Sequence, residues 1–179
     1  INAGILTTDF TPATGTIGES GQIGATTGGI SFTATPTYKD YGEDIDNCPK
    51  NMKELKRVDS WEAKIAGTFI NADTKIAKSL CGAADVGTSD GKVTPRNDLS
   101  DADFADIWLV GDYSDKNGDK NGGFIAIHLM NALSTGGFQL KTSDKAKGQF
   151  AFEYTAHYSM SAQDTVPFEI YIKAGTAEA

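Results

Sequence analysis

The sequence predicts a mainly β protein, an antiparallel sandwich or barrel of the kind that keeps one flanking helix. Three observations predict it. Apolar and polar residues alternate with period two in several separate stretches, the signature of half-buried strands. The stretches follow one another through short turns rich in Gly, Asp, Asn and Ser, such as DKNGDKNGG, STGG and SDKAKG, which is how antiparallel strands are joined. Only one segment carries a helical apolar period.

Taken in order, residues 1–29 are rich in Gly, Thr and Ala with few charges, and this composition predicts an arm or loop. In ISFTATPTY (30–38), Ile30, Phe32 and Ala34 alternate with Ser31, Thr33 and Thr35, and Pro36 marks a strand end or an edge position. Residues 38–57 are too charged for a buried strand and too poor in apolar period for a helix, so they are expected to protrude. In VDSWEAKIAGTFI (58–70) a second strand places Trp61, Ala63, Ile65 and Gly67 on one face. A helix over about 72–84 follows, capped by Asn71 or Asp73, with Ile76, Leu80 and Ala84 in its apolar stripe and Gly82 near its end. Residues 85–103 read as a loop. Strands are predicted at 104–113, 124–131, 138–142, 149–158 and 168–173.

The chain of 179 residues matches one domain, 1–179, long enough to bury a core without disulfides or a structural metal. A net charge of −8 and a pI near 4.7 disfavour a protein that grips nucleic-acid phosphates. Two cysteines, Cys48 and Cys81, are too few for a disulfide scaffold and read as free thiols of a reducing compartment. No apolar run reaches membrane-span length, and no signal-peptide core opens the residues present, which begin at Ile1.

Chemical motifs are weak. Asp115, Asn117 and Asp119 imitate the start of an EF-hand loop, but Lys120 stands where its Gly belongs and Ala126 where its bidentate Glu belongs, so a hairpin turn is the better reading. His128 and His157 lie inside strands without ligands at zinc spacing. Asp98, Asp101, Asp103 and Asp106 read as a solvated surface. Trp61 and Trp108 alternate with apolar neighbours and are expected in the core. Nucleophile elbows, phosphate-cradling glycine loops and paired Cys motifs are absent, so no enzyme and no cofactor is expected.

One pattern has internal logic. The excursion carries Asp40, Glu43, Asp44 and Asp46 in its first half and Lys50, Lys53, Lys56 and Arg57 in its second. Such halves either zip together within one chain or meet complementary charge on an identical neighbour, and head-to-tail contacts of the second kind generate rings and stacks.

Three stretches resemble the major tail, or tail-tube, proteins of long-tailed bacteriophages of Gram-positive hosts. They are GGISFTATPTYKDYGEDIDNCPKNMKELKRVDSWEAKIAGTFI; IAKSLCGAADV with KVTPRNDLSDADFADIWLVGDYSD; and GGFIAIHLMNALSTGGFQLKTSDKAKGQFAFEYTAHYSMSAQDTVPFEIYI. The last is the most specific, through NALSTGG, AHYSM and the terminal VPFEIYI. The resemblance implies a β-sandwich that assembles in the host cytoplasm into stacked six-membered rings of the virion tail, with a long loop bridging neighbours. Its implied partners are further copies of itself, a tape-measure protein, tail-terminator and distal tail proteins, and DNA that passes without tight binding. The tube of a contractile device such as a phage-tail-like bacteriocin uses the same ring, and a carbohydrate-binding sandwich is the alternative from another class. In a tube, the expected lumen is net negative, since residues 85–122 hold nine Asp against four bases and like-charged walls would let duplex DNA slide.

Overall fold

The computed structural model describes residues 4–114, 120–142 and 144–175. Its strands are β1 (Gly4–Thr7), β2 (Phe10–Thr11), β3 (Thr16–Ile17), β4 (Thr26–Asp40), β5 (Lys56–Phe69), β6 (Ala84–Val86), β7 (Val93–Pro95), β8 (Ala105–Ser114), β9 (Lys120–Ser134), β10 (Gln139–Lys141), β11 (Gln149–Thr155) and β12 (Phe168–Lys173). A single α-helix among the described residues, α1, spans Thr74–Cys81.

The long strands form one antiparallel sheet in the order β1-β8-β9-β11-β5-β4, with β12 and β10 added to β9 and β11. The sheet folds over along β9. Its first part pairs with β12 from Phe124 to Leu129, while Leu133 and Ser134 pair with β11. Between them Asn131 adopts a left-handed φ of 48°. The layer β1-β8-β9-β12 therefore lies against the layer β4-β5-β11-β10, giving a β-sandwich with one flanking helix.

The core forms between the layers because the inward parity of each strand is apolar. Leu6, Ile107, Ile127 and Leu129 of one layer meet Ala63, Ile65, Phe69, Phe152 and Tyr154 of the other. Phe168 of β12 packs on Phe32 and Trp61, with ring centroids 5.7 and 5.5 Å apart. In β4 the alternation is strict: Ile30, Phe32, Ala34 and Pro36 face in, while Ser31, Thr33, Thr35 and Thr37 are exposed. Pro36 sits on an edge strand, where its missing N–H removes no ladder bond from the sheet interior. A second, smaller core covers the outer face of the first layer, where Phe10 of the β2–β3 hairpin packs on Trp108 and Phe124.

The N-terminal segment is not a free arm. β1 pairs with β8 from Gly4↔Gly111 to Thr7↔Trp108, and Leu6 is 0% exposed. A segment poor in apolar residues is held here by backbone pairing and by two well-placed side chains, Leu6 and Phe10, which composition averages away.

The helix is shorter than 72–84. Asp73 is its cap, accepting from the Ile76 N–H at 2.7 Å, while Asn71 Oδ1 instead accepts from the Ala25 N–H at 2.8 Å. Gly82, at φ 74°, ends it, so Ala84 is buried as the first residue of β6 rather than as a third helical turn. Ile76 and Leu80 supply the buried stripe.

Residues 85–103 are also more ordered than a loop. β6 and β7 form a hairpin, a 3-10 turn spans Asp101–Asp103, and Arg96 ties the segment together. Arg96 Nη2 donates to both carboxylate oxygens of Asp103 at 2.7 Å, and its Nε lies 3.1 Å from Asp85 Oδ1. Asp103 is thus not part of a solvated acidic surface: its side chain is 1% exposed. The Ser100 amide N–H, together with the Arg96 guanidinium, holds the Asp103 carboxyl below the usual carboxylate range. A lowered folded-state pKa gives stability that is present above the ordinary carboxylate value and is lost as pH falls through the lowered one. Asp103→Asn is therefore expected to be less stable than the parent at neutral pH and to lose less on acidification. Urea midpoints between pH 7 and pH 3 check this, and parallel pH profiles would contradict it.

Candidate functional site

β4 and β5 pair from Thr26↔Phe69 to Asp40↔Lys56, so the hairpin runs on past the last inward apolar pair. Asp40, Lys56 and Arg57 are accordingly strand residues, and the turn proper is 41–55. The two strands slip register between Thr37 and Tyr38, where β5 has one residue more. Such a bulge bends its strand and increases the local right-handed twist.

The turn is exposed along almost its whole length but is internally bonded. Asp40 Oδ1 accepts from the Gly42 N–H at 2.9 Å and Oδ2 from the Asn51 N–H at 2.7 Å. The Tyr41 N–H donates to Leu55 O at 3.1 Å. Arg57 Nη1 donates to Glu54 O and Lys56 O at 2.8 and 3.0 Å. Lys56 Nζ lies 5.1 Å from the Tyr38 ring centroid, and Lys39 Nζ lies 5.3 Å from that of Tyr41.

Of the eight charged residues singled out in the excursion, Asp40, Lys56 and Arg57 are thus engaged within their own hairpin. Glu43, Asp44, Asp46, Lys50 and Lys53 are exposed. Within the turn, Lys53 and Glu54 form the one ion pair among the described residues, at 3.5 Å and between neighbours in the basic half. Apart from Asp40, which accepts from the Asn51 N–H, no acid of the first half forms an ion pair or hydrogen bond with the basic half among the described residues. Beside these charges stand exposed Tyr38, Tyr41, Ile45, Met52 and Val58. The charge run hides them in the sequence, although an uncharged residue at every few positions of a protruding turn was the available signal.

The edge strands of the sheet are β1, β4, β10 and β12. β4 pairs only with β5, and β12 only with β9, among the described residues. On β12, Phe168, Ile170 and Ile172 share a face, but only Phe168 is covered; Ile170 is 50% and Ile172 66% exposed. Exposed β-branched residues on an unpaired edge make a surface suited to another strand.

The remaining sequence candidates do not converge. His128 stacks on Trp108, with ring centroids 3.9 Å apart and planes at 3°, and its Nε2 lies 3.3 Å from Asp106 Oδ2 and its Nδ1 3.7 Å from Glu169 Oε2. His157 Nδ1 lies 3.1 Å from Asn131 O, in a different part of the sandwich. Trp108 is in the smaller core, and Trp61 is half-buried against Phe168. Cys48 and Cys81 are free thiols. The EF-hand-like residues Asp115, Asn117 and Asp119 lie outside the described residues. Among the described residues, no group of three or more His, Cys, Asp or Glu side chains is placed to hold a metal ion, and no helix is long and apolar enough to cross a membrane.

Compared with protein-family models and with curated proteins, the chain gives no match.

Proposed function

We propose that this chain is a structural, non-enzymatic subunit that self-assembles into stacked rings, the tail tube of a bacteriophage virion, as its resemblance to tail-tube proteins implies. The observation that carries the reading is the β4–β5 turn, where Glu43, Asp44 and Asp46 form no ion pair with Lys50 or Lys53 among the described residues. Within one subunit that separation is unused; between copies stacked head to tail, the acidic half of one faces the basic half of the next. The open edge of β12 supports the same reading, because an unpaired edge that a protein does not block is an edge it pairs.

The negative lumen is proposed on narrower grounds than composition suggested. Of the nine Asp in residues 85–122, Asp85 and Asp103 are bound to Arg96 and Asp106 accepts from the Asn131 N–H, so part of this acidity serves the fold. The charges along the channel of an assembled tube decide its sign, and a lining richer in Lys and Arg than in Asp and Glu would refute it.

Electron microscopy of the purified protein tests the class directly, since hollow rings or tubes are expected. The β12 seam has its own test. Replacing Ile170 and Ile172 with Asp spares the buried core, so the subunit should stay folded at a cost of about 1 kcal/mol per exposed strand site. Sedimentation should nevertheless show loss of ring formation. A parent protein that stays monomeric at high concentration under every salt condition removes the proposal.

A further inference from the structure

The acid that opens the charged excursion is turned inward. Its two carboxylate oxygens accept from amides on opposite arms of the turn, Gly42 at 2.9 Å and Asn51 at 2.7 Å. One side chain therefore spans the mouth of the loop. What surrounds it fits a closed turn. Gly42 is buried, and a Cβ there would meet Leu55 Cδ1 at 3.1 Å and Cys48 Sγ at 3.3 Å. Asn51 presents its N–H from a left-handed φ of 62°, and its own Oδ1 lies 3.4 Å from Lys56 Nζ. Further turns close at Ile45→Gly42, Cys48→Ile45 and Leu55→Met52.

A turn closed in this way does not wait for a neighbouring ring to order it. A chain that must order on binding loses part of its interaction energy to that ordering, whereas a preformed surface does not. Carboxylate-to-amide bonds are charge-assisted, the stronger kind.

Resting on the assembly reading above, we infer that Asp40 is a positioning residue and not an inter-ring contact: it latches the 41–55 turn in the free subunit, so that exposed Tyr41, Ile45 and Met52 and the unpaired charges are presented as a fixed array before a partner arrives. Lys56 of β5 and Lys50 of the turn lie near enough to favour the charged carboxylate, while Glu43, Asp44 and Lys39 line the same hollow. The Asn51 amide first, then that of Gly42, holds the Asp40 carboxyl below the usual carboxylate range. The latch is accordingly present above that range and is lost as pH falls through the lowered value, so it is closed throughout the neutral range.

Amide hydrogen exchange on the free, full-length subunit tests the latch without any assembly. In the parent protein the Gly42 and Asn51 amides should exchange at least about tenfold more slowly than in Asp40→Ala, with the sandwich strands unchanged. Asp40→Asn should fall between them, since its amide keeps one acceptor oxygen and loses the other. That graded recovery is a readout that general damage to the fold would not give. Assembly of Asp40→Ala should then need a concentration about tenfold higher, although the residue touches no neighbour. Equal exchange in parent and Asp40→Ala overturns the latch even if tubes form. Protection in the parent with no assembly under any condition keeps the latch and removes the tube reading on which its purpose rests.

Discussion

Leu6→Ala is expected to destabilise the subunit by about 2–5 kcal/mol, the range for removing a buried leucine side chain and leaving a cavity. This is a large share of the roughly 5–15 kcal/mol that holds a typical domain together. The side chain is fully buried, packs in the main core with Ile107, Ile127 and Leu129, and sits on β1 opposite Leu109. Nearby chain depends on it as well. The Ile23 N–H donates to Leu6 O at 3.0 Å, and Thr7, also fully buried, bonds through its Oγ1 to both the N–H and the carbonyl of Asp9. Opening this corner would therefore loosen the β2–β3 hairpin that covers Trp108 and Phe124. Urea unfolding followed by tryptophan fluorescence measures the loss. An unchanged midpoint would mean that residues 1–29 are the loose arm their composition suggests, and that β1 is dispensable.

That contrast shows what alternation can and cannot reveal. Strands whose two faces differ were readable, because Ile30, Phe32 and Ala34 against Ser31, Thr33 and Thr35 encode the burial seen in β4. The same holds for Ala63 and Ile65 in β5. Element ends were less legible. The hairpin continues through Tyr38–Asp40 and Lys56–Val58 on cross-strand hydrogen bonds, which need no apolar side chains and so leave no periodic trace. The helix stops at Gly82 although Ala84 keeps the helical spacing, because a positive-φ glycine outweighs one more small apolar residue. Asp103 looked like one of four solvated acids. Its burial follows from Ser100 and Arg96, partners that only the fold of the 84–103 segment brings to it. At the candidate site, charge separation was visible in the sequence, but the division of labour within it was not: Asp40, Lys56 and Arg57 look like their neighbours until the β4–β5 register assigns them inward tasks.

This division sharpens the test of stacking. Lys50→Glu with Lys53→Glu is expected to abolish stacked tubes while leaving the subunit folded and its thermal midpoint nearly unchanged. Both residues lie in the exposed turn; the Lys53 side chain is 90% exposed with its only ion pair among the described residues to adjacent Glu54, and the attraction of Lys50 for the Asp40 carboxylate is the smallest of the contributions that hold it. Lys56 and Arg57 are left alone, since altering them would disturb bonds inside the hairpin and confuse a folding defect with an assembly defect. An exposed ion pair contributes only about 0–1 kcal/mol. Repeated around a ring, however, such pairs act together, because once one turn is seated the others meet their partners at high effective concentration. Reversal also does more than remove attraction. It sets two new acids beside Glu43, Asp44 and Asp46, so facing turns repel. The parent tube should weaken as ionic strength rises, because charges separated by more than about 10 Å are screened at 0.1 M salt. Specificity can be separated from general damage by reversing the other half as well. A protein carrying Glu43→Lys, Asp44→Lys and Asp46→Lys together with the two lysine reversals restores opposite signs across a head-to-tail contact, and its tubes should return. Electron microscopy of the parent, the half-reversed and the fully reversed proteins reads all three outcomes, and normal tubes from the half-reversed protein would exclude the turn as the element that joins one ring to the next.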